Sequence, residues 1–221
     1  MYILINKPSG PTSHDIIDQL RRITGVKKIG HAGTLDPFAS GLLLVAISRE
    51  STRNIYNFIK LDKEYIATLK LGAISNSQDR TGVIEEIKNS ASPTEQEIKD
   101  VLSKFVGKQE QIPPMFSAKK VKGKKLYNLA RKGIEIERKP SNIEIYDIQL
   151  LEFKDSELKI KVKCSSGTYV RTLAHDIGQD LGCGAYLEEL ERTKIGKYDL
   201  KNSVKVEELT KENWNKFTFN S

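Results

Sequence analysis

The chain has 221 residues, 38% hydrophobic and 29% charged, with a formal net charge of +7. That length suits one domain, or one plus a small appendage, with a sizeable core. No apolar run reaches a membrane span, the start lacks a signal peptide's basic and apolar regions, and two cysteines without a CxxC pair argue against a disulfide framework or a structural zinc site, so a cytoplasmic protein is expected.

In chain order, Tyr2–Asn6 reads as a short strand closed by the turn cluster Lys7-Pro8-Ser9-Gly10-Pro11. Asp15–Thr24 has Ile16, Ile17, Leu20 and Ile23 at helical spacing, and Gly25 ends it. The stretch 29–45 then sets His31 and Asp36 on a loop punctuated by Gly30, Gly33 and Pro37. The apolar run Leu42–Ile47 follows as a buried strand. A helix is expected over 51–60, with Ile55, Phe58 and Ile59 inward, then a half-buried strand over Glu64–Leu71. Asn76–Gly82 is a polar loop containing Asp79. Thr94 and Glu97 form a capping-box signature for a helix to about Phe105.

Gln111-Ile112-Pro113-Pro114-Met115 is a stiff connector. Lys125–Lys132 is helix-like and stops at Gly133. Ile143–Phe153 and Leu158–Cys164 read as paired strands. Ser165–Arg171 turns into a helix carrying Leu173, Ile177 and Leu181, and a further short helix is expected over Ala185–Arg192. The last twenty or so residues are weakly patterned. Without strict βαβ alternation, the fold class expected is α+β, with a central mixed, largely antiparallel sheet flanked by helices and loops.

Charge is concentrated. Residues 119–139 hold nine Lys and Arg against two acids, which accounts for the whole net charge. A localised basic surface suits a polyanion, nucleic acid foremost, although a solvated Lys-rich segment has the same composition. The chain has no P-loop, dinucleotide fingerprint, GxSxG elbow or His/Cys metal cluster. The Asp36 stretch alone fits a simple Asp-Pro turn as well as a loop presenting a carboxylate.

Several separated motifs occur in order. They are Asn6-Lys7-Pro8 with Gly10 and Thr12-Ser13; Gly30 to Pro37 with Gly41-Leu42-Leu43; Lys63-Glu64-Tyr65; Ile112-Pro113-Pro114 with Ser117 to Lys119; Gly123 to Tyr127 with Ala130-Arg131 and Gly133; Gly167 to Thr172; and Leu181 to Ala185. On these motifs, nearly all of residues 3–200 resembles the bacterial tRNA pseudouridine synthases that modify uridine 55 of the T-loop.

The resemblance implies a pseudouridine synthase fold and a cofactor-free isomerase, with no metal. Its substrate would be the T-arm stem-loop of tRNA, the protein would act as a monomer, and no membrane would be involved. Asp36 matches the catalytic aspartate, Arg171 the arginine that pairs with it, and Tyr65 the tyrosine against the target base. Tyr169 and Leu190 match residues lining the uracil pocket, and His31 one that enters the T-loop and helps displace the nucleotide. Lys7, Lys119, Lys124 and Lys125 are the further expected substrate-binding residues, the last three within a basic insert over about 112–140 that closes on the RNA.

Some positions depart from the pattern. Ser48 to Arg53 replaces a usual Gly-containing turn, and Glu191 stands where a base is usual. Residues 1–200 are expected as the catalytic domain, and 201–221 as a short C-terminal tail without room for the usual RNA-binding domain. Two other classes share parts of the pattern. A non-catalytic RNA-binding or tRNA-folding protein would need the basic segment but not Asp36, and an N-glycosylase would release free base.

Overall fold

The computed structural model describes residues 1–88, 92–117, 119–121, 123–130 and 133–220. Its contacts divide the chain into two compact units, Met1–Ile66 with Leu190–Ser221, and Ala67–Glu189.

The first unit is built on β1 (Tyr2–Lys7). After it, α1 (Ser13–Thr24) starts two residues before the expected Asp15, because Thr12 and Asp15 form a reciprocal capping box. It ends at Gly25, whose φ of 72° only glycine adopts without strain. β2 (Ile29–His31) and β3 (Ser40–Ile47) follow. β3 pairs antiparallel with β1, from Tyr2 opposite Ala46 to Lys7 opposite Gly41, and with β2 on its other flank.

Strand side chains alternate between faces. Ile3, Ile5, Leu43, Val45 and Ile47 therefore pack with Ile16, Ile17 and Leu20 of α1. Tyr2, Leu4, Leu42, Leu44 and Ala46 pack on the opposite face with Phe58 and Ile195. Both faces of β3 are covered, which is why its sequence is an unbroken apolar run. Each buried aliphatic side chain contributes roughly 1.5–3 kcal/mol.

The helix expected over 51–60 is two shorter ones, α2 (Arg49–Asn54) and α3 (Tyr56–Ile59). Ser48 moves the start forward. Its hydroxyl accepts from Ser51 N, and its φ of 115° lies where the usual glycine would rest without strain.

β4 (Lys63–Leu71) runs from the first unit into the second and buries Tyr65, Ala67, Leu69 and Leu71, as its alternation predicts. In the second unit, β5 (Ala73–Ser75) and β6 (Ile84–Glu86) form a hairpin around the polar loop. α4 (Glu95–Lys104) starts at the expected Thr94–Glu97 capping box. β7 (Gly107–Gln111), two short basic strands, β8 (Lys120–Val121) and β9 (Lys124–Lys125), and α5 (Leu126–Ala130) lead to β10 (Ser141–Lys154) and β11 (Glu157–Cys164). The expected continuation of α5 through Arg131 and Lys132 lies outside the described residues.

The sheet order in this unit is β4-β11-β10-β7. Buried Ile98, Val101 and Leu102 seat α4 against β10 and against α6 (Val170–Asp180).

β12 (Ala185–Ile195) returns the chain to the first unit, where β13 (Tyr198–Asp199), β14 (Val204–Lys205) and β15 (Thr218–Phe219) complete it. The short helix expected over Ala185–Arg192 is thus a strand. Leu and Glu favour a helix there, but ladder pairing overrides that local preference. Glu191 and Arg192 pair in parallel with Ser40 and Gly41, and Leu187 bridges to Asp79. The weakly patterned end supplies β14 and β15, which flank β1, and puts Val204, Val206 and Leu209 into the core.

The β1–β14 and β3–β12 pairs are parallel, and the β1–β3, β2–β3, β1–β15, β10–β11 and β7–β10 pairs are antiparallel, so the class is the expected α+β with a mixed, largely antiparallel sheet. Among the described residues no helix is long and apolar enough to cross a membrane.

Candidate active site

In the first unit the loop between β2 and β3 is held at nearly every residue. Leu35 and Phe38 are buried on either side of half-buried Asp36. Ser13 Oγ donates to the Leu35 carbonyl (3.0 Å) and accepts from its amide (2.9 Å). Ser9 Oγ donates to the Phe38 carbonyl (2.7 Å), and the Gly10 amide to that of Pro37 (2.8 Å). The Ala39 amide donates to the Asp36 carbonyl (3.1 Å), closing the turn. The motif after β1 therefore grips the motif after β2, and the carboxylate is fixed by backbone geometry.

Lys7 departs from expectation. Its side chain is fully buried, and its ammonium donates to the carbonyls of Pro8 (2.8 Å), Pro11 (2.8 Å) and Pro37 (3.3 Å). It braces the Asp36 loop from beneath and has no face to offer a phosphate. Burial lowers its pKa to about 8, the nearby Asp36 carboxylate opposing the shift and Arg192 adding to it.

His31 closes β2, half-buried, with Nδ1 buried and unpartnered among the described residues. Burial, then the charges of Arg192 and His14, hold its pKa below the usual value, so the ring is neutral at pH 7. Tyr65 on β4 and Leu190 on β12 are both buried. Glu64, beside Tyr65, accepts from Thr193 Oγ1 (2.9 Å) and pairs with Lys194 (3.4 Å), tying β4 to β12.

In the second unit, Arg171 is buried in the first turn of α6, not on a surface. Its Nη1 donates to Asp79 Oδ2 at 3.0 Å. Asp79 is itself 2% exposed, and its other oxygen accepts from Ser77 Oγ (2.8 Å), Thr81 N (3.0 Å) and Thr81 Oγ1 (2.5 Å). A side chain at Gly82 would collide with Ser75, Asn76 and Ser77, so glycine there lets the loop wrap the carboxylate. Thr172 Oγ1 donates to Gln78 Oε1 (2.8 Å), a second tie between loop and helix. Tyr169 caps α6, and its backbone amide and carbonyl are both clasped by the Gln111 side chain (2.8 and 3.0 Å).

In the basic segment, Lys119 Nζ donates to Ser141 Oγ (2.6 Å). The side chains of Lys124 and Lys125 lie outside the described residues. Among the described residues, no group of three His, Cys, Asp or Glu could hold a metal ion.

Sequence reasoning noted Asp79 only as part of a loop pattern, and missed Gln111 and Arg192. Ser77 and Thr81 around Asp79, both able to donate to a carboxylate and set in a Gly-ended loop, were the available signal.

The model of the TruB family pseudouridylate synthase N-terminal domain matches residues 21–170. The chain belongs to the TruB family. The model of the tRNA pseudouridylate synthase B C-terminal domain matches residues 171–218. Curated relatives named tRNA pseudouridine synthase B include those of Protochlamydia amoebophila, 48% identical over 94% of this chain and 78% of that one, and Clostridium tetani, 43% identical over 97% and 74%.

Among solved structures, a chain of a Cbf5-Nop10-Gar1 complex superposes with TM-score 0.72 at 29% identity, over 93% of this chain and 52% of that one. One from an H/ACA RNP bound to a substrate RNA containing 2'-deoxyuridine gives 0.70 at 27%, over 100% and 56%. This chain thus spans about half the length of those solved chains. As a TruB-family pseudouridylate synthase the protein is an isomerase, and it has the pseudouridine synthase fold.

Proposed function

We propose that this TruB-family protein converts uridine 55 in the T-loop of tRNA to pseudouridine, with Asp36 as the catalytic carboxylate. The observation that carries this reading is the Asp36 loop itself. It is a half-buried carboxylate within the Gly30–Pro37 motif, on a turn whose flanking residues are buried or hydrogen-bonded. A loop held that firmly loses little freedom when a nucleotide reaches it.

In the reaction the N1–C1' bond of uridine breaks, the uracil turns, a C5–C1' bond forms, the proton on C5 leaves and N1 takes up a proton, so that the product is an isomer of the substrate. Nothing is oxidised and no group is gained or lost. A carboxylate holds one fragment covalently while the other turns, whether it attacks the base or the sugar. Arg171 supplies the guanidinium that keeps the carboxylate ionised, and Asp79 with its Ser and Thr partners holds Arg171 rigid. Tyr65 stacks on the base and accepts the departing C5 proton, directly or through water. Tyr169 and Leu190 line the uracil pocket. Neutral His31 enters the space left by the displaced nucleotide, and its flat ring costs less to bury than a cation.

The basic segment, Lys119, Lys124 and Lys125 included, binds the T-arm backbone. Replacing Lys119, Lys120, Lys124 and Lys125 with Ala is expected to flatten the salt dependence of tRNA affinity, by about 0.7 in log–log slope for each single-stranded phosphate no longer neutralised. An unchanged slope would remove this segment from the interface.

The chemistry is tested by incubating a T-arm hairpin RNA with the purified protein and no other addition. Pseudouridine is the product expected. Free uracil would mean glycosidic cleavage instead, and binding without product would mean an RNA-folding role.

A further inference from the structure

Arg192 has no part in the chemistry above, yet it is 1% exposed. Its Nε donates to the Leu42 carbonyl at 2.8 Å and its Nη2 to the Gly33 carbonyl at 3.0 Å. Those two carbonyls lie on either side of the segment that carries Asp36. One rigid, planar group therefore spans the entry and the exit of the loop.

Two glycines fit around the same residue. Gly41, at φ 103°, lies directly against the Arg192 backbone, where a Cβ would collide with its amide and carbonyl. Gly33, at φ 96°, would put a Cβ 3.5 Å from Nη1. The strand that supplies Arg192 pairs at this very register, Arg192 opposite Gly41.

Charge points the same way. Two neutral carbonyls hydrogen-bond a guanidinium but do not neutralise it, and a cation taken out of water needs an anion nearby. Lys7 feels both charges, Asp36 raising its proton affinity and Arg192 lowering it. His31 also feels the field of Arg192.

We propose that Arg192 is a positioning residue for the reaction: its buried guanidinium fastens Gly33 to Leu42, so that the loop delivers Asp36 in one place. Arg192 touches no substrate and acts only through the loop. The proposal rests on Asp36 being the catalytic carboxylate.

The test compares wild type, Asp36→Asn, Arg192→Lys and Arg192→Gln as full chains on a tRNA transcript, with kcat and KM measured separately and backbone amide exchange followed by mass spectrometry. Lysine keeps the charge and offers a point donor in place of the fork, so a kcat loss of about tenfold is expected. Glutamine loses the charge as well, and about a hundredfold loss is expected, the scale of a small misplacement of reacting groups. KM should stay within about twofold in both, since positioning acts on the chemical step. Exchange over 33–41 should rise while that of 13–24 stays as in wild type.

If the glutamine variant does not fold, the lysine variant carries the comparison, since it keeps the charge and most of the stem. Unchanged kcat with unchanged exchange would overturn the proposal, as would exchange raised evenly through the unit at unchanged kcat per folded molecule. A raised KM at unchanged kcat would make Arg192 an RNA contact and overturn it too. Full turnover by Asp36→Asn would remove the catalytic reading beneath it, whereas an inactive Asp36→Asn beside fully active Arg192 variants would remove this proposal alone.

Discussion

Asp36→Asn is expected to bind tRNA as tightly as wild type and to form no detectable pseudouridine, a loss of more than about four orders of magnitude in kcat, as for removal of other covalent catalytic groups. Asparagine preserves the size and hydrogen-bonding shape of the side chain but is a far poorer nucleophile and carries no charge. The loop keeps its form without the carboxylate. Ser9, Gly10, Ser13 and Lys7 all bond to its backbone, and Leu35 and Phe38 anchor it in the core. Thermal stability should still fall by several degrees, at about 2–4 °C per kcal/mol in a chain of this size, because the buried Lys7 ammonium loses a nearby carboxylate. Binding is followed by filter retention and turnover by chemical labelling of pseudouridine. Retained turnover would assign the catalysis elsewhere. Joint loss of binding and fold would make Asp36 a structural residue.

The second large effect is expected at Asp79. Asp79→Ala leaves the Arg171 guanidinium buried without the carboxylate now 3.0 Å away. Breaking a buried pair from one side costs about 3–5 kcal/mol, because the other charge stays in the interior. Ser77 and Thr81 lose their acceptor as well. A fall in melting temperature of about 10 °C follows. Turnover should fall further than tRNA affinity, since Arg171 is freed to move. Asp79→Asn keeps the shape and some of these hydrogen bonds, so it separates the two effects: a smaller loss of stability with a comparable loss of kcat. A stable, fully active Asp79→Ala would show that Arg171 needs no such support.

Much of this was legible in the sequence for physical reasons. The run at 42–47 and the alternation at 64–71 announce strands because burial on two faces or one leaves that imprint. Thr94 and Glu97 announce a helix because their reciprocal bonds exist only at that spacing. The Asp36 loop stood out through its Gly and Pro residues.

What misled were residues whose partners are distant in sequence. Ala185–Arg192 has helical composition, and the ladder that makes it a strand is formed with Ser40 and Gly41, some 150 positions away. Arg192 was accordingly lost at the end of an imagined helix. Lys7 is expected among the substrate-binding residues, but three carbonyls of neighbouring turns converge on it. Arg171 is matched in the sequence only to Asp36, and nothing there points to Asp79, 92 residues earlier, which lies against it. Charged residues at buried positions carry no local signature. Their meaning depends on which opposite charge or carbonyl the fold brings to them.

The most direct test of the central claim maps pseudouridine at nucleotide resolution in a full tRNA transcript treated with wild-type protein, beside one treated with Asp36→Asn. A single new pseudouridine at position 55 with wild type, and none with the variant, is the result predicted. Modification at other uridines but not at 55, or the same signal from both proteins, would contradict it.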